Sequence, residues 1–118
     1  MDINQVSGAI VDAAMKVHSA LGLGLLESAY EACLMYELRK RSLFVASQLS
    51  LPIIYDEVKI DTGYRIDLLV ENAVIVELKT VERILPVHQS QLLSYLRLSN
   101  KNLGLLINFH VLHYERWD

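Results

Sequence analysis

The chain has 118 residues, 53% of them hydrophobic and 21% charged, with five glycines and two prolines. That composition leaves room for one domain, residues 1–118, with a packed core, and excludes a two-domain enzyme or a long disordered segment. The longest apolar stretches fall far short of the roughly 20 residues that cross a bilayer, so no membrane partner is expected. Met1-Asp2-Ile3-Asn4-Gln5 lacks a basic segment followed by an apolar run, and the single cysteine, Cys33, permits neither an intrachain disulfide nor a thiolate zinc site. A cytoplasmic location is the expectation.

In chain order, Ile3, Val6, Ile10, Ala13, Val17 and Leu21 recur at the three- and four-residue spacing of one buried helical face. Gly22-Leu23-Gly24 interrupts this helix. A second one, from about Leu26 to Arg41, carries Leu26, Tyr30, Cys33, Leu34 and Leu38 at the same period. Phe44 to Tyr55 is rich in β-branched and aromatic residues and holds Pro52, which predicts one strand or a pair of short ones at a sheet edge. Asp61-Thr62-Gly63 is a turn. Tyr64–Val70 and Ala73–Thr80 read as two strands of a hairpin, Pro86 opens a helix to about Ser99, and Leu105–Phe109 reads as a strand buried on both faces. Leu112–Tyr114 adds a last edge strand. The order predicts an α/β fold, α+β by a stricter count: a mixed sheet flanked by helices.

Chemistry concentrates on Asp67 and on Glu77-Leu78-Lys79. Side chains alternate along a strand, so Glu77 and Lys79 share one face while the preceding Ala73-Val74-Ile75-Val76 is wholly apolar. Loop length decides what they meet. A two-residue loop, Glu71-Asn72, puts Asp67 and Glu77 on opposite faces, whereas a three-residue loop, Glu71 to Ala73, pairs Val70 with Val74 and sets Asp67 opposite Glu77. In the second register two carboxylates lie some 5 Å apart with Lys79 beside them. Such a pair repels itself unless a divalent cation lies between, and oxygen donors favour Mg²⁺ or Mn²⁺. Without metal, deleting Asp67 is expected to raise stability slightly.

This pattern resembles the PD-(D/E)XK nuclease superfamily: Asp67, Glu77 to Lys79 on its hairpin partner, Glu27 on the preceding helix, and Gln91-x-x-x-Tyr95 on the following one. Gly24-Leu-Leu-Glu27-Ser-Ala-Tyr30 is similar to the signature of the GxxExxY proteins within it, and Leu105-Leu-Ile-Asn108-Phe109 to their closing strand. Ile66 departs from the proline of the superfamily's name, at a position without metal contact. The resemblance implies a restriction-endonuclease-like fold. It further implies that Asp67 and Glu77 hold Mg²⁺, with the Leu78 carbonyl as a third protein ligand. Lys79 would orient or activate the attacking water, Glu27 would add a carboxylate, and Gln91 and Tyr95 would lie near the metal or the nucleic-acid strand.

Each assignment has a plainer counterpart. Glu27 would equally favour the positive end of a helix dipole, Tyr30 and Tyr95 would serve as core aromatics, and Gln91 as a solvated helix residue. His18, His110 and His113 lack metal-ligand spacing; His88 lies three residues before Gln91 on the same face. Arg39-Lys40-Arg41 suits a helix C-terminus and solvent. The leading expectation is an Mg²⁺- or Mn²⁺-dependent nuclease acting on DNA or RNA. Net charge is -3, so nucleic acid is expected to bind weakly to this chain alone. The alternatives are a catalytically silent nuclease-fold module acting with a partner, and an enzyme on another phosphate ester. Self-association into a two-fold homodimer is also expected, from the large apolar residues near the sheet edges.

Overall fold

A computed structural model describes all 118 residues. Helix α1 (Ile3–Leu21) and helix α2 (Glu27–Lys40) are followed by strands β1 (Val45–Ser50), β2 (Ile53–Tyr55), β3 (Val58–Ile60), β4 (Arg65–Val70) and β5 (Val74–Lys79). Helix α3 (Pro86–Ser99), β6 (Leu103–Asn108) and β7 (His113–Trp117) complete the chain. Five strands form one mixed sheet in the order β1-β4-β5-β6-β7, and β2 and β3 pair separately as a hairpin. β5 and β6 are parallel, with α3 as the crossover between them; the other pairs are antiparallel. No helix is long and apolar enough to cross a membrane.

The start of α1 is fixed locally. The Asp2 carboxylate accepts from the Gln5 N–H and the Gln5 carboxamide accepts from the Asp2 N–H, satisfying two of the helix's free donors. At the other end Gly22, with φ of 72°, and Gly24, with φ of 98°, supply turns that disfavour side chains. The expected inward face of α1 is buried at Val6, Ile10, Ala13 and Val17, but Leu21 is exposed, and so is Leu26, which is the N-cap of α2 rather than part of its packed face.

The two sides of the sheet are covered differently. Helices α1 and α2 pack on one side over Leu68, Val70, Val74, Val76, Leu78 and Leu105. Helix α3 covers the other side, where Leu92, Tyr95 and Leu96 meet Ile66, Leu69, Ile75 and Leu106. Gly104 permits this close approach, since a Cβ there would lie 2.7 Å from Leu92 Cδ1. The hairpin β2–β3 lies outside both clusters and exposes Ile54, Tyr55, Val58 and Ile60. Its second strand escapes sequence reasoning because its apolar positions meet no core.

Candidate functional site

The β4–β5 turn takes the longer of the two loops. Glu71 and Asn72 have φ of 53° and 51°, the Ala73 N–H donates to the Val70 carbonyl, and Val70 pairs with Val74. The register runs on through Leu69 with Ile75 and Leu68 with Val76. Asp67 therefore stands opposite Glu77. The Asp67 N–H donates to Glu77 Oε2 and the Leu78 N–H donates to Asp67 Oδ2, each at 2.8 Å. Each carboxylate thus holds the strand that carries the other.

A second irregularity lies across from the pair. In β1, Ser47 pairs with Leu68 and Leu49 with Ile66, so Gln48 faces Asp67, yet that pairing lapses. Gln48 has φ of 51°, a left-handed conformation costly for a residue with a side chain, and it occurs mid-strand. Alternation fails nearby as well: Ile66 and Leu69, three apart, both join the cluster under α3. The turned-over backbone aims the Gln48 carboxamide at Glu31 on α2, with bonds of 3.0 and 3.2 Å, and at Asp67 Oδ1, at 3.4 Å.

Glu27, the first residue of α2, and Glu31, one turn on, bring two further carboxylates toward the pair; Lys79 is the neighbouring cation. Burial, and then the Asp67 charge, push the Glu77 carboxyl up to about 8, against the pull of the Asp67 N–H and Lys79. Glu27 and Glu31 are also raised, each by burial first and then chiefly by Asp67, with Lys79 opposing at Glu27 and Gln48 opposing at Glu31. Lys79 is held by α3, its ammonium donating to Gln91 Oε1 at 3.3 Å. Tyr95, buried one turn after Gln91, has its hydroxyl raised by burial and by the Glu77 charge.

The fold thus gathers Asp67, Glu77, Lys79, Glu27, Gln91 and Tyr95 around one end of the sheet. Tyr30 is elsewhere: fully buried, its ring stacks on Phe109 at 4.6 Å, and its hydroxyl donates to the Gly22 carbonyl. His88 accepts from the Leu85 N–H at 2.9 Å and so closes the first turn of α3. Arg39 donates to the Val45 carbonyl and Arg41 pairs with Asp12, so the basic run is largely spent on packing. Asn108, buried beyond Lys79, bonds both backbone groups of Val81 and the His110 N–H, fixing the chain that leaves β5.

Glu31 and Gln48 escape sequence reasoning, and Asn108 enters it only as part of the closing-strand motif, without its bonds to Val81 and His110. For Glu31 a signal existed, its position four residues after Glu27 on the same helical face. Gln48 has none, because its role depends on a backbone reversal set by strand pairing.

The donor chemistry suits a hard divalent cation. Every side-chain acceptor is an oxygen, and four carboxylates face one ammonium, so the site is short of positive charge. No three His, Cys, Asp or Glu side chains converge tightly enough to hold an ion by themselves. The protein's own ligands would therefore be few, as is usual for Mg²⁺, which retains several waters.

A mixed five-stranded sheet flanked by helices, with an acidic pair and a lysine on adjacent hairpin strands, makes this an α+β domain with an acidic site at one end of its sheet. The profile of the PD-(D/E)XK nuclease superfamily matches residues 4–117, and the chain belongs to that superfamily. No curated protein and no solved structure gives a match.

Proposed function

We propose that this protein, a single nuclease-like domain of the GxxExxY kind, is a metal-dependent nuclease that hydrolyses phosphodiesters in DNA or RNA. The observation carrying this reading is the facing pair Asp67 and Glu77, cross-braced at 2.8 Å, with Lys79 beside it. Asp67, Glu77 and the Leu78 carbonyl would hold Mg²⁺ or Mn²⁺. The ion would polarise the phosphate and lower the pKa of bound water. Lys79, steadied by Gln91, orients the attacking water and offsets charge gathering on the phosphate oxygens. Glu27 supplies a further carboxylate at the rim. Tyr95 and Gln91 line the approach of the strand.

The net charge of -3 leaves little long-range attraction for a polyanion, so nucleic acid would bind weakly without help. Self-association is a natural source of that help, since β1 and β7 are the open edges of the sheet, and Phe44 beside β1 and Tyr114 on β7 are exposed. Sedimentation of the full chain at micromolar concentration tests it; a monomer would remove it.

The nuclease reading is tested by incubating wild type and Lys79→Ala with single- and double-stranded DNA and RNA, with Mg²⁺ or Mn²⁺. Wild type should cleave, and Lys79→Ala should not, while keeping its fold and its stabilisation by metal, because the ammonium is not a ligand. No cleavage of any substrate with either ion would favour the silent module.

A further inference from the structure

Beside the acidic pair, the outer face of α3 and the base of the β2–β3 hairpin enclose a groove of about 460 Å³. Val87, Ser90, Gln91, Ser94 and Leu98 supply one wall, at the spacing of a single helical stripe. Ile53 and Tyr64 supply the other. Tyr64 is about half exposed, lines the groove and stands 5.9 Å from Tyr95, tilted by 50° rather than stacked on it. Gln91, which bonds Lys79, belongs to both places, making the groove continuous with the candidate site.

The charges lining this groove set it apart. Each of the four other sizeable cavities is lined by at least one carboxylate: Asp12, Glu37, Asp118, or Glu82 with Glu115. This groove has none, although the chain as a whole is acidic. Its polar lining is hydroxyl and carboxamide, and its one charge is Arg97, whose guanidinium donates to Ser94 Oγ at 3.2 Å. An apolar slot with a half-exposed aromatic ring, a few neutral hydrogen-bonding groups and one cation suits an unpaired base with its phosphate. A base inside a duplex keeps both faces stacked and cannot offer one to Tyr64.

We propose that this groove binds single-stranded nucleic acid, with a base stacked on Tyr64 and a neighbouring phosphate at Arg97. It rests on the nuclease reading only in that the strand so held would run toward Lys79; binding itself needs no catalysis. Stacking makes such binding tolerant of sequence and compensates for the weak electrostatics of the chain.

The test is fluorescence anisotropy of the full-length protein in EDTA, using a short labelled oligonucleotide of mixed sequence as single-stranded DNA, single-stranded RNA and duplex DNA. Single strands should bind more tightly than duplex. Tyr64→Ala should weaken single-strand binding about tenfold, and Tyr64→Phe should retain it. Tyr55→Ala, on the exposed hairpin outside the groove, should change nothing. Arg97→Ala should reduce the slope of log affinity against log salt by about 0.7, whereas Tyr64→Ala leaves the slope unaltered. Equal binding of duplex, or an affinity indifferent to Tyr64 in folded protein, overturns the proposal. Should Tyr64→Ala fail to fold, an unchanged salt slope in Arg97→Ala overturns it instead. The two readings separate cleanly. Cleavage by wild type with a Tyr64-independent affinity removes the groove alone; Tyr64-dependent binding without cleavage removes the nuclease alone.

Discussion

Asp67 and Glu77 hold each other's strands through backbone donors, the Glu77 carboxylate accepting from the Asp67 N–H and the Asp67 carboxylate accepting from the Leu78 N–H. The geometry of the pair is therefore set by the backbone before any ion arrives. Preorganisation has an electrostatic cost, because two facing carboxylates cannot both be charged cheaply when one of them is buried.

The first prediction follows from that cost. With its carboxyl raised to about 8, Glu77 keeps a proton in the folded chain that the unfolded chain releases near pH 4.3. The associated stabilisation is complete below the unfolded value and is lost as pH rises through about 8. Metal-free protein should lose stability from about pH 5 to pH 8, by an amount on the order of 4 kcal/mol at most. Glu77→Gln retains an oxygen for the Asp67 N–H and should flatten the dependence, leaving the shallower slope of Glu27 and Glu31, whose shifts have the same sign. Denaturant melts across this range check it; an unchanged slope in Glu77→Gln would show that Glu77 is ionised throughout.

Gln48 offers a second contrast. Gln48→Gly relieves the left-handed backbone but loses the carboxamide's bonds to Glu31 and Asp67, and these effects should nearly cancel, to within about 1 kcal/mol. Gln48→Glu keeps the length and replaces a donor between two carboxylates with a third carboxylate. At neutral pH without metal it should melt at lower denaturant, by about 1–2 kcal/mol, and recover as the acid groups protonate. Equal stability of Gln48→Glu and wild type at both pH values would mean that the carboxamide is not held where the bonds place it.

A third prediction concerns what sets α3, and with it Gln91 and Tyr95, against the sheet. Gly104→Ala would drive a methyl to within 2.7 Å of Leu92 Cδ1, in a fully buried setting. Overpacking of this kind costs about 1–3 kcal/mol, and Leu92→Ala alone about 2–5 kcal/mol. In the double variant the new methyl partly fills the space that Leu92 vacates, so the combined loss should fall short of the sum. Strict additivity in urea melts would contradict the close approach.

How far the sequence reveals this arrangement depends on the range of the interactions involved. The face of α1, the Pro86 start of α3 and the apolar run ending at Phe109 are local signals; α1 and α3 start where their patterns predict, while β6 begins two residues earlier than its apolar run, at Leu103, and ends at Asn108. The juxtaposition of Asp67 and Glu77 was legible only as a choice between two loops, decided by the strand register that pairs Val70 with Val74, which composition does not fix. Tyr30, the last residue of the Gly24-to-Tyr30 pattern, spends its ring on Phe109 and its hydroxyl on Gly22, joining the α1–α2 turn to the core. Gln48 and Glu31 meet across 17 residues of sequence, and only the lapse in β1 pairing brings them together.

The last prediction separates metal binding from simple charge repulsion, and the structure changes which variant can do so. Sequence reasoning expects Asp67→Ala to stabilise the metal-free protein by removing one of two facing carboxylates. The Leu78 N–H, however, depends on Asp67 Oδ2, and leaving a buried donor unpaired costs about 1–3 kcal/mol, enough to cancel or reverse the gain. Asp67→Asn avoids this, since its amide oxygen still accepts from Leu78 while the charge that raises Glu77, Glu27 and Glu31 is gone. In EDTA, Asp67→Asn should melt at or above the temperature of wild type, and Asp67→Ala below it. With Mg²⁺ or Mn²⁺ about a hundredfold over its Kd, wild type should gain roughly 2.7 kcal/mol and Asp67→Asn little, so that their order reverses. The reversal is the diagnostic result, because relief of repulsion alone raises Asp67→Asn equally in every buffer. If Asp67→Asn remains the more stable protein at saturating concentrations of both ions, the carboxylate pair does not hold a divalent cation and the nuclease reading loses its metal.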